Sequence, residues 1–177
     1  MTHLFAPWQL GDLPLPNRIV IAPMCQYSAV DGSATDWHLM HLGQLAISGA
    51  GLLILEATAV STEGRITPGD LGLYSDANEA ALARVLTAVR ASSPIAVAMQ
   101  ISHAGRKASS QAPWDGGLQI APGEPCGWLA EAPSALPHGA SEVPPVALDA
   151  AGLARVRDDF VRTAQRAVRL GIQGIEL

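Results

Sequence analysis

The 177-residue chain has few basic side chains and no long apolar run, and each shortage excludes a class of protein. Eleven Lys and Arg residues against 16 Asp and Glu residues give a formal charge of -5, so there is no basic stripe to neutralise the phosphates of a nucleic acid. No apolar run approaches the roughly 18 residues that a membrane-spanning helix needs. The opening MTHLFAPWQL lacks a basic stretch followed by an apolar one, so no secretory signal is predicted.

Cysteine is also scarce. The chain contains only Cys25 and Cys126, far apart and outside any metal-ligand pattern, which indicates a reduced, cytoplasmic setting. A further absence concerns cofactor binding: no G-x-G-x-x-G follows the first predicted strand, which argues against an open dinucleotide-binding sheet. With 49% apolar residues, the chain can still bury a sizeable core.

The pattern of apolar residues predicts strands that alternate with helices. Residues 1–17 contain two short apolar pieces around Gly11 and are predicted to form a hairpin. In the last helix, which Asp149 is predicted to cap, one apolar face is predicted. This face comprises Leu153, Val156, Phe160, Ala164, Ala167 and Val168. The predicted strands are 18–22, 51–60, 95–101 and 171–177, with helices at 36–48 and from Asp76, where Glu79 suggests a capping box.

This alternation predicts an α/β protein with a parallel sheet. Two architectures fit it: an open doubly wound sheet and a closed (β/α)8 TIM barrel. The barrel is favoured because polar groups follow three separate strands, at the end where barrel active sites lie. The residues at these strand ends are Cys25 and Tyr27, then Ala57 and Thr58, then Gln100, Ser102 and His103. A barrel takes about 250 residues, so we expect about the first four β/α units here. Residues 102–148, rich in Pro, Gly and Ser, are expected to form a functional loop.

Three motifs together resemble the old yellow enzymes, which are FMN-dependent ene-reductases. They are LPNRIVIAPMCQYSAVDG, GAGLLILEATAVSTEGRITPGDLGLY and QISHAGRKAS. The likeness covers the whole chain and is greatest to the class with a cysteine beside the flavin, which includes NADPH dehydrogenases and xenobiotic reductases. It implies that residues 1–177 are the amino-terminal half of a single FMN-binding barrel domain. The family's substrate-anchoring histidine pair and FMN-phosphate ligands would lie beyond position 177.

The resemblance assigns roles to seven residues. Cys25 would tune the flavin, Ala57 would leave room for its ring, and Gln100 would pair with its pyrimidine edge, for which a primary amide has both a donor and an acceptor. Tyr27 would act on the substrate side of the ring, as a catalytic or substrate-binding residue. Ala22, Pro23 and Met24 would form the wall beside Cys25.

The implied activity takes hydride from NADPH and reduces alkenes activated by a carbonyl or nitro group. The alternative is a catalytically incomplete half-barrel or assembly partner, and the expected partners are small molecules, a second copy, or a complementary half-barrel. A dienoyl-CoA reductase, which adds an iron–sulfur cluster to the same barrel, is a further enzymatic alternative.

Other polar residues have plainer interpretations. His38 and His41 share a helical face, but without a third ligand they indicate packing and hydrogen bonding rather than a metal site. Glu56 ends an apolar strand and needs a partner, for which Arg18 and Arg106 are the candidates. His103, Arg106 and Lys107 are expected to fix the loop after the third predicted strand, although Lys107 could also face the flavin. Cys126 is expected to be incidental.

Overall fold

The computed structural model describes residues 3–177. Its main feature is a parallel sheet with three helices packed on one face and a hairpin at one end. In chain order, the elements are β1 (Trp8–Leu10), β2 (Leu13–Leu15), β3 (Val20–Ile21), α1 (Asp36–Ala46), β4 (Leu52–Ala59), α2 (Asp76–Ser92), β5 (Ala96–Ser102), β6 (Glu131–Ala132), β7 (Val146–Ala147), α3 (Ala150–Arg169) and β8 (Gly174–Glu176).

The central sheet has the order β3-β4-β5-β8, and every neighbouring pair is parallel. Each crossover contains a helix, as parallel strands require. The predicted α/β alternation is therefore confirmed, although β3 and β8 are shorter than the predicted strands at 18–22 and 171–177.

The sheet buries both of its faces in different ways. The outer face, with Leu53, Leu55 and Val97, packs against all three helices. The inner face is covered at its amino-terminal end by the hairpin of β1 and β2, where Leu13 and Leu15 pack on the first inward residues of two strands. The hairpin predicted within residues 1–17 is confirmed over 8–15 and turns at Gly11, whose positive φ of 57° favours glycine; Met1 and Thr2 lie outside the described residues.

A bulge interrupts the pairing of β4 with β5. Leu55 pairs with Met99 and Thr58 pairs with Ile101, so Glu56 and Ala57 together oppose the single residue Gln100. An extra residue of this kind bends a strand and redirects its side chains, and such bulges occur often beside active sites. The expectation that Thr58 lies with the site residues at the strand ends is wrong. Thr58 is fully buried, and its hydroxyl donates to the Glu56 carbonyl at 2.8 Å.

The start of α2 differs from the prediction. Ser75, not Asp76, is the N-cap, and its hydroxyl accepts the Asn78 backbone N–H at 3.1 Å. Glu79 forms no capping box and instead binds Arg166 and Arg169 of α3. The Asp149 cap of α3 is confirmed, because its carboxylate accepts the Gly152 N–H at 2.8 Å.

The predicted apolar face of α3 is wrong in part. Ala167 is buried as predicted, but Leu153 and Val168 are exposed, and the polar Asp159 and Thr163 are buried in their place. The physical reason is that α3 turns its polar stripe toward the sheet and loops. There Asp159 forms ion pairs with Arg155 and Arg162. Phe160 and Ala164 are partly buried against the sheet core.

The segment predicted as a long functional loop, 102–148, is irregular but ordered by short elements. It contains two single-turn 3-10 helices, at Gly105–Lys107 and Pro113–Asp115, and the two-stranded sheet of β6 and β7. None of the helices described in residues 3–177 combines the length and apolar character needed to cross a membrane.

Candidate functional site

The segment after β3 leaves the sheet and carries the first candidate site residues. The strand ends at Ile21, two residues before Pro23, which has no N–H to donate to a ladder. Ala22 and Met24 line a small recess with Ile54 and Glu56, and Met24 is largely exposed.

Cys25 lies half-buried against the next strand. The backbone N–H of Ala57 reaches its sulfur, which joins the tip of β3 to the bulge in β4. Burial, followed by the nearby carboxylates of Asp70 and Glu56, raises the pKa of the Cys25 thiol from 9.0 to about 11. At neutral pH the side chain is therefore a neutral thiol, able to donate a hydrogen bond but not acting as a thiolate.

Tyr27 connects this thiol to an open groove. Its phenol lies beside Cys25, and burial, followed by the electrostatic effects of Cys25 and Asp70, raises the pKa of the phenol, which stays neutral. The ring packs edge-to-face on Trp114, with centroids 5.2 Å apart and planes at 83°. Both aromatic residues line a groove of about 420 Å³, together with Thr67, Pro68, Gly69, Gln111, Ala112, Asp115 and Ile120.

Gln100 faces the bulge from β5, directly opposite Glu56 and Ala57. Its Nε2 donates to Oε1 of Glu176 on β8 at 2.6 Å. Its carbonyl oxygen has no hydrogen-bond partner within residues 3–177, so the Gln100 amide keeps an acceptor and a second N–H available at the strand ends. The structure thus brings Cys25, Ala57 and Gln100 together across three adjacent strands.

Glu56 is buried, and its predicted partners are wrong. Neither Arg18 nor Arg106 binds it; its Oε1 lies 3.3 Å from Nε2 of His38, and its Oε2 accepts the Gln26 backbone N–H at 2.8 Å. Sequence could not reveal this pairing, because His38 reaches Glu56 only through the packing of α1 on β4.

His103 and Arg106 hold loops, as predicted. Nδ1 of His103 accepts the Gly105 N–H at 3.1 Å, and Nη2 of Arg106 donates to the Ser134 hydroxyl at 3.0 Å. Lys107 is exposed, and its positive charge acts on Cys25 in the direction that lowers the thiol's pKa, against the larger effect of burial. Over residues 3–177, no cluster of His, Cys, Asp and Glu is arranged to hold a metal ion.

Sequence reasoning missed three residues of the site. Asp70 is buried and accepts hydrogen bonds from the Ile66 N–H and the Thr67 hydroxyl, both at 2.7 Å, while burial raises its pKa. Trp114 and Glu176 are the other two, in contact with Tyr27 and Gln100. The sequence gives only two hints of these residues: Asp70 lies in a Gly- and Pro-containing loop, and Glu176 lies at a strand end.

A thiol, a small side chain and an amide at the ends of adjacent parallel strands define one class: an α/β barrel-type protein with its site at the carboxyl ends of the strands. The family model described as "NADH:flavin oxidoreductase / NADH oxidase family" matches residues 3–177, and the chain belongs to this family. The resemblance to the old yellow enzymes is confirmed. Members bind FMN and use NADH or NADPH.

Individual relatives agree with this assignment. The chain is 43% identical to an NADH:flavin oxidoreductase of Gibberella zeae, over 99% of this chain and 43% of the relative. It is 41% identical to an NADPH dehydrogenase of Listeria monocytogenes, over 100% of this chain and 48% of the relative.

Among solved structures, morphinone reductase in complex with tetrahydroNAD superposes with a TM-score of 0.81 and 30% identity, over 99% of this chain and 48% of that one. The TIM-barrel fold class is thereby confirmed, with this chain corresponding to about half of such a barrel. The chain spans about half the length of the curated relatives it matches.

Proposed function

We propose that residues 1–177 act as the amino-terminal half of a single FMN-binding barrel domain. The whole protein would take hydride from NADPH and reduce alkenes activated by carbonyl or nitro groups, in the cytoplasm. The observation that carries this proposal is the convergence of Cys25, Ala57 and Gln100 at adjacent strand ends in a chain of a flavin oxidoreductase family.

The residues at these strand ends fit the isoalloxazine ring of FMN. Gln100 keeps a carbonyl oxygen and an N–H for the alternating donors and acceptors of the pyrimidine edge. Ala57 is partly exposed beside Gln100 and presents a single methyl group, which leaves space for a flat ring. Ala22, Pro23 and Met24 form the adjoining wall. When bound, FMN would supply the hydride-transfer chemistry, which no protein side chain provides.

The protein's own residues would position and polarise the reactants. Cys25, held as a neutral thiol, would donate a hydrogen bond toward the flavin and so tune its electron affinity. Tyr27 would present a neutral hydroxyl to the substrate, because its raised pKa keeps the phenolic proton in place. The groove between Tyr27 and Trp114 would then be the substrate side of the site, with aromatic walls suited to a flat conjugated molecule.

The flavin assignment is tested with Gln100→Met, which keeps the length of the side chain and removes its amide. Gln165→Met, at an exposed position on α3, is the matched control. We expect wild type and control, supplied with the complementary half of the barrel, to retain yellow colour after FMN is added and the excess removed. They should also consume NADPH when 2-cyclohexenone is present.

Gln100→Met should weaken FMN binding by about tenfold, since amide hydrogen bonds to a ring edge contribute roughly 1–2 kcal/mol. If the folded wild-type protein with its complementary half neither retains colour nor consumes NADPH, the proposal is wrong.

A second candidate function is that of an assembly partner, in which the chain associates through its open flank. The observation behind it is a cavity of about 500 Å³ lined mainly by Ile101, Phe160 and Leu177. A complementary half-barrel or a second copy would cover this flank. Light scattering separates the possibilities, because a chain that remains a monomer at high concentration does not self-associate.

A further inference from the structure

We infer that Glu56 and His38 form a buried positioning pair that fixes the segment carrying Cys25 and Tyr27. The inference rests on the proposed function only in giving Cys25 a place beside the flavin. Its evidence is the geometry of the pair itself, which lies behind the segment and on the helix side of β4.

The hydrogen bonds of His38 define its tautomer. Its Nδ1 accepts the Thr35 backbone N–H at 3.0 Å, while the Thr35 hydroxyl donates elsewhere, to the Ser28 carbonyl at 3.0 Å. A ring nitrogen that accepts an N–H carries no proton, so the proton of the neutral ring is on Nε2. That atom is buried and makes no hydrogen bond among the described residues, but it lies 3.3 Å from Oε1 of Glu56, an ion-pair contact.

Both oxygens of Glu56 therefore face donors: Nε2–H of His38 and the backbone N–H of Gln26. The side chains of His38 and Glu56 are only 1% and 5% exposed, which removes water as a competing partner.

The bulge in β4 connects this pair to Cys25. Glu56 and Ala57 are consecutive, and both bind the same segment: the Glu56 carboxylate holds the Gln26 N–H, and the Ala57 N–H reaches the Cys25 sulfur. Gln26 lies between Cys25 and Tyr27, so its anchor sets the position of both side chains. Both contacts start from the two residues of the bulge, where the strand bends beside the segment.

Charge is the second effect of Glu56. The ionisable groups that face Cys25 are Asp70, Glu56, Lys107 and Tyr27. The carboxylates raise the thiol's pKa, and Lys107, which is exposed, lowers it. If the pair served packing alone, replacing Glu56 and His38 with two apolar side chains would leave the folded chain equally stable. Such a replacement would, however, leave the Gln26 backbone N–H without its hydrogen-bond partner.

The test measures alkylation of Cys25 by iodoacetamide across pH 6–11, with Cys126→Ser in every variant so that one thiol remains. Glu56→Gln removes the charge but keeps an oxygen for Gln26. His38→Asn keeps an acceptor for the Thr35 N–H and removes the donor to Glu56. The matched control is Glu63→Gln, an exposed carboxylate seven residues further along the chain that is not among the groups acting on Cys25.

We expect Glu56→Gln to shift the pH profile to lower pH and to raise the rate at pH 8 about three- to tenfold, as expected for loss of one charge a few ångströms away. His38→Asn should raise the limiting rate without that downward shift, because the segment is loosened while the charge remains. Glu63→Gln should behave as wild type. Folded Glu56→Gln and His38→Asn variants with wild-type profiles would overturn the inference.

A measurement on the unmodified chain covers the case in which a variant does not fold. Hydrogen exchange of the Gln26 amide should be at least about a hundredfold slower than in an unstructured peptide, since it donates to the buried Glu56 carboxylate. Exchange at the unstructured rate would contradict the inference. Neither readout requires FMN, so failure of the flavin proposal and failure of this one are distinguishable.

Discussion

Tyr27 has a left-handed backbone, with φ of 51°, which is unusual for a residue other than glycine. Its position depends on a neighbouring chain that passes very close. A Cβ atom added to Gly69 would lie 2.6 Å from the Tyr27 carbonyl oxygen, and the Gly69 carbonyl also accepts the Ala29 N–H at 2.9 Å. The loop at residues 67–70 therefore holds the backbone of Tyr27 in place from the side of the groove.

Gly69→Ala should consequently displace Tyr27. We expect a loss of roughly 1–3 kcal/mol in the free energy of unfolding, the usual cost of forcing an extra methyl group into a packed site. Thermal or urea unfolding measures it. The control is Gly43→Ala within α1, where an added Cβ meets nothing within 4 Å and should stabilise the chain by about 0.5–1 kcal/mol. Equal effects of the two substitutions would contradict the close-approach explanation.

At the level of single residues, the sequence predicted which groups would meet but not what holds them. The motifs located Cys25, Ala57 and Gln100, and the structure brings them together; their roles toward FMN stay predictions. The predicted partner of Glu56 was wrong because an arginine is the usual choice for a buried carboxylate, whereas Glu56 faces a ring nitrogen and accepts a backbone N–H. Such pairings are determined by tertiary packing rather than by local sequence.

Glu79 joins two helices. It binds Arg166 and Arg169, so α2 is tied to α3 across 87 and 90 positions of the chain. Hydrogen bonding with Arg169, then with Arg166, lowers the pKa of Glu79 from 4.5 to about 2. The folded state therefore favours the carboxylate, and the resulting stability is present above about pH 4.5 and is lost as the pH falls toward 2.

Glu79→Gln should lower the free energy of unfolding at pH 7 by about 1–2 kcal/mol, a value reduced for screening because Arg169 is half-exposed. Near pH 2 the variant and wild type should be equally stable. Urea unfolding at several pH values measures both. Asp158→Asn, which breaks an exposed ion pair with Arg157, should change stability by less than about 0.5 kcal/mol. A pH-independent loss in Glu79→Gln would rule out the ionic explanation.

Among the elements, the order of strands and helices was predictable from apolar periodicity, and details of their ends and faces were not. Ser75 and Asp76 are both good N-cap residues, and only the backbone geometry separates them. The bulge at Glu56 and Ala57 depends on the partner strand, so no single-strand pattern predicts it. On α3, the apolar spacing predicted a buried face of apolar residues only, yet Asp159 is buried. Its ion pairs with two arginines offset the cost of burying its carboxylate.

The molecule as a whole has two functionally different ends. The hairpin covers the amino-terminal end of the sheet through Leu13 and Leu15, while the candidate site lies at the opposite end. The parallel sheet and the hairpin were both predictable from sequence. Their contact was not, because it joins elements that are distant along the chain.

Leu15→Ala should therefore separate stability from site chemistry. Leu15 is only 2% exposed, and truncating it should lower the free energy of unfolding by about 2–4 kcal/mol. The alkylation profile of Cys25 should stay unchanged. Leu10→Ala, at a half-exposed position of the same hairpin, should change stability by less than about 1 kcal/mol. A shifted Cys25 profile in Leu15→Ala would show that the two ends are coupled.

The hairpin also affects which segments of the chain tolerate substitutions without loss of folding. Since Leu13 and Leu15 protect the inward side chains at the far end, substitutions in the largely exposed 111–120 segment can alter the wall of the groove with little effect on folding. A laboratory library confined to that segment should thus contain a high proportion of well-folded members, whereas one directed at the hairpin should mostly yield unstable chains.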